Sequence, residues 1–119
     1  MRRLLLIAVI AASCATPSAS GEFVMSEFAL SGPGVVAAGE VSFALRNLGE
    51  FSHTVLIADE DGSVVAATDV VPPGEEVELD VALEPGEYQV SCRIVIETPD
   101  GEIVDHYERG MFTSLRVDG

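Results

Sequence analysis

Alternation is the feature that most limits what this chain can fold into. From Glu22 onward apolar and polar residues change places at every second position, and turn residues interrupt them at intervals of about ten. Val77, Leu79, Val81 and Leu83 alternate with Glu76, Glu78, Asp80 and Ala82, which puts one apolar and one largely acidic face on an extended strand. No window carries an apolar period of 3.6, so amphipathic helices are excluded. The pattern predicts an all-β fold, an antiparallel sandwich or barrel of about seven short strands.

The other strands follow from the same period. Phe23, Met25, Phe28 and Leu30 predict a first strand, closed by Ser31-Gly32-Pro33-Gly34. Val41, Phe43 and Leu45 alternate with Ser42, Ala44 and Arg46, and Asn47-Leu48-Gly49 turns the chain. Thr54 to Ala58 is apolar on both faces, as a central strand is. Ser63 to Ala67 makes a weaker strand, and Val71-Pro72-Pro73-Gly74 a stiff corner. Glu87 to Ile96 and Phe112 to Val117 complete the set. At 119 residues there is room for one domain, and no internal repeat divides it.

Ahead of this body stands an address. Met1-Arg2-Arg3 and the apolar run Leu4 to Ala12 form the charged and apolar regions of an export signal, and the run is too short to span a bilayer. It ends in Ala11-Ala12-Ser13-Cys14, which resembles a bacterial lipobox and implies lipid on Cys14 as the first mature residue. Secretory cleavage near Ala15 or Ala19 is the competing reading. The small polar residues that follow suit a tether. The expected division is residues 1–13 as signal, 14–21 as lipid-anchor tether and 22–119 as the domain. The expected location is the extracytoplasmic face of a bacterial membrane, or the periplasm or exterior.

Acidic residues outnumber basic ones 20 to 6 and lysine is absent. Nucleic-acid binding is excluded, because phosphate contacts need clustered cations. A cationic protein partner suits such a surface, although acidity also serves plain solubility. The two cysteines, Cys14 and Cys92, allow a disulfide in an exported protein. A lipid on Cys14 would instead leave Cys92 as the domain's single thiol.

The last third carries Cys92, His106 and Met111 in that order, and His53 stands upstream. A thiolate, two imidazoles and a thioether form the soft donor set of a blue-copper centre. Each residue also has a plainer reading. Cys92 and Met111 suit a core, His53 suits a loop hydrogen bond, and His106 suits an exposed loop. Zinc takes Cys and His but has little use for Met. A Cys–His nucleophile lacks an orienting third group, the acidic clusters Glu75-Glu76 and Asp59-Glu60-Asp61 read as solvated turns, and Asp59-x-Asp61-Gly62 lacks the later oxygen ligands of a calcium loop. No enzymatic activity is expected.

Four motifs in order carry a family resemblance: Asn47-x-Gly49-x3-His53, Pro73-Gly74-Glu75 before an alternating strand, Pro85-Gly86-x-Tyr88-x3-Cys92, and His106-x4-Met111 before the final strand. With these the chain resembles the cupredoxins, in particular small exported plastocyanin-like or sulfocyanin-like members. The resemblance implies a Greek-key β-sandwich holding one copper ion that cycles between Cu(I) and Cu(II). It makes His53, Cys92, His106 and Met111 the ligands, with Met111 axial, and Asn47 a brace behind the ligand loops. It further implies one-electron transfer to a redox protein, with the exposed edge of His106 as the electron port and Tyr107 or Phe112 beside it. Copper sequestration or delivery, and a metal-free interaction module, are the alternatives.

The chain departs from the family in one place. Thirteen residues separate Cys92 from His106, where the family has only a few. They hold two β-rich runs around Thr98-Pro99-Asp100-Gly101, which predicts a hairpin with a type I turn and Gly101 in the left-handed bulge position. In that register Thr98 pairs with Glu102, Ile94 lies opposite His106, and Cys92 lies opposite Glu108. Cys92 and His106 then share a face, with Cα atoms roughly 7–8 Å apart. Without the bulge, His106 turns away.

Overall fold

The computed structural model describes residues 19–119. The described elements are strands joined by turns: β1 (Ala19–Ser26), β2 (Ala29–Ser31), β3 (Val35–Ala37), β4 (Gly39–Asn47), β5 (Leu56–Ala58), β6 (Val64–Ala67), β7 (Glu76–Leu83), β8 (Gly86–Ser91), β9 (Val95–Glu97), β10 (Ile103–Asp105) and β11 (Phe112–Asp118). One sheet runs β2-β1-β4-β7, a second runs β3-β11-β8-β5-β6, and β9-β10 stand apart as a hairpin. The two larger sheets face each other as a sandwich. Phe23, Met25, Val41, Phe43 and Leu45 from the first meet Ile57, Val90, Leu115 and Val117 from the second. Phe23 and Phe43 pack with ring centroids 5.3 Å apart. Fully burying a side chain of this size contributes about 1.5–3 kcal/mol, so the alternating pattern is what holds the sheets together.

The sheets are mixed rather than purely antiparallel, as β1 pairs with β4 and β3 with β11 in parallel. The first expected strand is two. β1 and β2 form a hairpin with Met25 opposite Leu30, turning through Glu27 and Phe28, which are joined by a cis peptide bond. The sequence holds a sign of this break, because the apolar positions shift from odd (Phe23, Met25) to even (Phe28, Leu30). β1 also starts at Ala19, three residues ahead of the expected domain boundary, because Ala19 to Gly21 continue the ladder against Val41 to Phe43. The signal, Cys14 and the first part of the tether lie outside the described residues. β5 begins at Leu56 rather than Thr54, since the N–H of Thr54 goes to the Cys92 sulfur and that of Val55 to Thr68 Oγ1.

Two turns with family motifs are tied back to their neighbours, one at the start of β8 and one beside Asn47. Tyr88 donates from its hydroxyl to the Glu84 carbonyl at 2.7 Å, tying the start of β8 to the preceding turn. At Pro73-Gly74-Glu75, Gly74 adopts φ +82° and donates to the Asn47 carbonyl, while Asn47 N–H donates to Glu75.

Candidate metal centre

Cys92 lies one step past the last residue of β8, and its N–H donates to the Met111 carbonyl at 3.0 Å. This extends the β8–β11 ladder beyond its Ser91–Phe112 pair and sets Cys92 across from Met111. Both are fully buried at one end of the hydrophobic core. His53 is fixed by a two-way backbone bridge, donating to Val71 at 3.1 Å and accepting from it at 2.7 Å. The loop before it is held by Asn47, buried as expected of a brace. Its Nδ2 donates to the carbonyls of Phe51 and Val71, and its Oδ1 accepts from Gly49 N–H.

His106 arrives on the hairpin. Thr98 pairs with Glu102, Gly101 takes φ +91°, and His106 N–H donates to the Ile94 carbonyl at 2.9 Å, which is the bulged register predicted from the spacing. The ladder stops there. Asp105 accepts backbone donors from both Glu108 and Arg109, and Gly110 at φ +107° lets the chain turn so that Met111 N–H reaches the His106 carbonyl. Cys92 therefore faces Met111 and not Glu108, a correction that brings the thioether residue next to the thiol.

The three donor atoms meet. Cys92 Sγ lies 3.6 Å from His106 Nδ1 and 3.9 Å from His53 Nδ1, and the two Nδ1 atoms are 3.2 Å apart. Ligand atoms about 2.0 Å (N) and 2.3 Å (S) from one ion sit roughly 3.5–3.8 Å apart in a trigonal plane, so the spacing suits a single metal. Among the described residues this is the cluster of His, Cys and acidic side chains with that geometry, and all three members are buried. Thr54 donates its N–H to Cys92 Sγ at 3.4 Å.

The electrostatics favour the metal-binding forms of Cys92 and His106, whereas His53 must release a proton that its neighbours favour. Burial opposes ionisation of Cys92, yet hydrogen bonds from His53, Thr54 and Ile94 outweigh it and hold the thiol below its usual range. Burial also pulls His53 down, but bonding to Cys92 and Glu27 lifts it above normal. His106 is pushed down by burial and by the charge on His53, which keeps its imidazole neutral.

Three neighbouring residues, Glu27, Phe28 and Phe51, were not legible as site residues. The β1–β2 turn lays Glu27 against His53, with Oε2 2.7 Å from Nε2, and Phe28 against His106, with centroids 5.0 Å apart. Phe51 stacks on His106 at 6.2 Å and 21°, and its ring also meets that of Phe28 at 6.1 Å. His106 is consequently fully buried and its Nε2 has no hydrogen-bond partner. The expected exposed edge of His106 is replaced by an aromatic cover, because the turn that carries Phe28 folds over it.

The cupredoxin-like domain model matches residues 4–104. The chain belongs to the cupredoxin family. Among solved structures, this cupredoxin is similar to dithionite-reduced auracyanin from the photosynthetic bacterium Roseiflexus castenholzii, at 19% identity and TM-score 0.65 over 88% of this chain and 100% of that one. It is similar to the Az-iso2 azurin of Methylomonas sp. strain J, at 14% identity and TM-score 0.62 over 86% and 99%. Auracyanin A of Chloroflexus aurantiacus, titled a blue copper protein, matches at 17% identity and TM-score 0.62 over 83% and 98%. At these identities the likeness establishes the fold. No curated protein matches the sequence. The donor set of this cupredoxin, one thiolate and two imidazoles beside a thioether residue, is the one that suits copper.

Proposed function

We propose that this cupredoxin carries single electrons on one copper ion, held by His53 Nδ1, Cys92 Sγ and His106 Nδ1 with Met111 as a weak fourth ligand. The supporting observation is the convergence of three buried donor atoms, all within 4.8 Å of one another. Copper, when bound, supplies a reversible one-electron change between Cu(I) and Cu(II). The chain's own residues supply the rest. Backbone bonds to Val71 and Met111 hold His53 and Cys92 in place, so little has to move when charge changes. The N–H groups of Thr54 and Ile94 stabilise the thiolate. Phe28 and Phe51 keep water from His106 and, with Phe51 41% exposed, offer the route by which electrons enter and leave.

The partner is a redox protein with a basic docking surface, drawn by the acidic exterior. Tyr107, half-buried, and the exposed Phe112, rings 4.8 Å apart, add a second aromatic pair near the site. Lipid on Cys14 would confine the carrier to the outer face of the cytoplasmic membrane. This role is not enzymatic.

Voltammetry of the copper-loaded domain tests the reading. A carrier gives a reversible one-electron wave and keeps its copper through repeated cycles. Tight Cu(I) binding without a stable oxidised form would assign the protein to sequestration or delivery instead.

A further inference from the structure

The Glu27 carboxylate is enclosed by donors from the His53 loop. Its Oε1 accepts the Glu50 N–H at 2.7 Å, and its Oε2 accepts the Phe51 N–H at 3.3 Å and His53 Nε2–H at 2.7 Å. Asn47 shapes the loop by holding Gly49 N–H and the Phe51 carbonyl, which leaves the N–H groups of Glu50 and Phe51 facing Glu27. Gly49 makes the approach possible, since a Cβ there would collide with the carboxylate. The Glu27 side chain is 24% exposed, and its Oε2 lies against the buried His53 ring. Four features of one loop thus fit a single carboxylate delivered from the distant β1–β2 turn.

We propose that Glu27 is a positioning residue of the metal centre, which fixes His53 with Nδ1 toward Cys92 and His106 and lowers the reduction potential of the bound ion. The inference rests on the copper reading above. Donation from Nε2 to a carboxylate leaves Nδ1 as the lone-pair nitrogen, and it aims that nitrogen at the other two donors. A carboxylate on the far side of a ligand imidazole makes that imidazole more basic. Its negative charge also favours the more highly charged Cu(II) over Cu(I), which lowers the potential. The chain thereby carries two separate controls from consecutive turn residues, Glu27 on His53 and Phe28 on His106.

Two variants separate charge from tether. Glu27→Gln keeps the shape and removes the charge. Chelator competition should show Cu(II) affinity falling about tenfold while Cu(I) affinity holds. The potential should accordingly rise by about 59 mV, the one-electron equivalent of that ratio. Glu27→Ala removes the tether. In the metal-free protein, 15N NMR at a pH where the imidazole is neutral should find His53 protonated on Nε2 alone in the parent and mixed between nitrogens in the variant. An unchanged potential in Glu27→Gln, or an unchanged tautomer in Glu27→Ala, overturns the proposal. Failure of the parent to take up copper would instead overturn the electron-carrier reading, while the metal-free NMR still decides whether Glu27 orients His53.

Discussion

Asn47 uses its whole side chain on the loop that carries His53, with three hydrogen bonds at 2.8–2.9 Å. Replacing it with alanine removes all three, at about 0.5–1.5 kcal/mol each, while the Val71 carbonyl keeps the His53 N–H. Asn47→Ala should therefore lower the unfolding free energy by about 2 kcal/mol or more in denaturant titration, and weaken metal binding with it. This residue and the three converging donors were legible because their chemistry is scarce. The chain has two histidines, and both reach the site. Glu27 was not legible. One acid among 20 has no local mark that distinguishes a carboxylate held by three donors from a solvated one.

The hairpin between Cys92 and His106 shows what an element can decide. Its register depends on one left-handed residue, Gly101, and the side-chain face depends on the register. Deleting Gly101 shortens the loop to two residues and slips the pairing by one. His106 should turn away from Cys92, abolishing the visible absorption of the copper-loaded protein while the sandwich still unfolds cooperatively in thermal melts. Turn chemistry made this hairpin readable, whereas the stop at Asp105 was not, because it depends on Asp105 capping two later N–H groups. The β1–β2 turn was missed for a different reason: a two-residue turn without glycine or proline shows only as a change of apolar parity.

The same turn sets an acid limit on the metal-free protein. Burial works against ionisation of Glu27, but bonds from Glu50, His53 and Phe51 hold its carboxyl below the usual carboxylate range. A group whose folded value is depressed contributes stability that is complete above the unfolded value and is lost as pH falls through the folded one. Stability should thus decline below about pH 4.5, and Glu27→Gln should flatten that decline in denaturation measured across pH.

At the scale of the molecule, the sandwich was the most legible feature, since alternation determines which face of each strand is buried. Phe43 is its fully buried centre, and Phe43→Ala should cost about 3–5 kcal/mol in denaturant unfolding. The mixed pairings of β1 with β4 and β3 with β11 were hidden, because a strand's alternation is the same in either direction. The exterior is acidic even locally. Arg46, Arg109 and Arg116 each pair with carboxylates of the chain itself, and Arg93 stacks on Tyr107. Electron exchange with a cationic partner should slow steeply with added salt in stopped-flow measurements.

The central claim is that His53, Cys92 and His106 form one copper site. Titrating the metal-free domain with Cu(II) and following the visible spectrum tests it most directly. The account predicts an intense band that saturates at one ion per chain, bleaches on reduction, returns on oxidation and disappears in Cys92→Ser. Uptake without that band, or a band indifferent to Cys92→Ser, would contradict it.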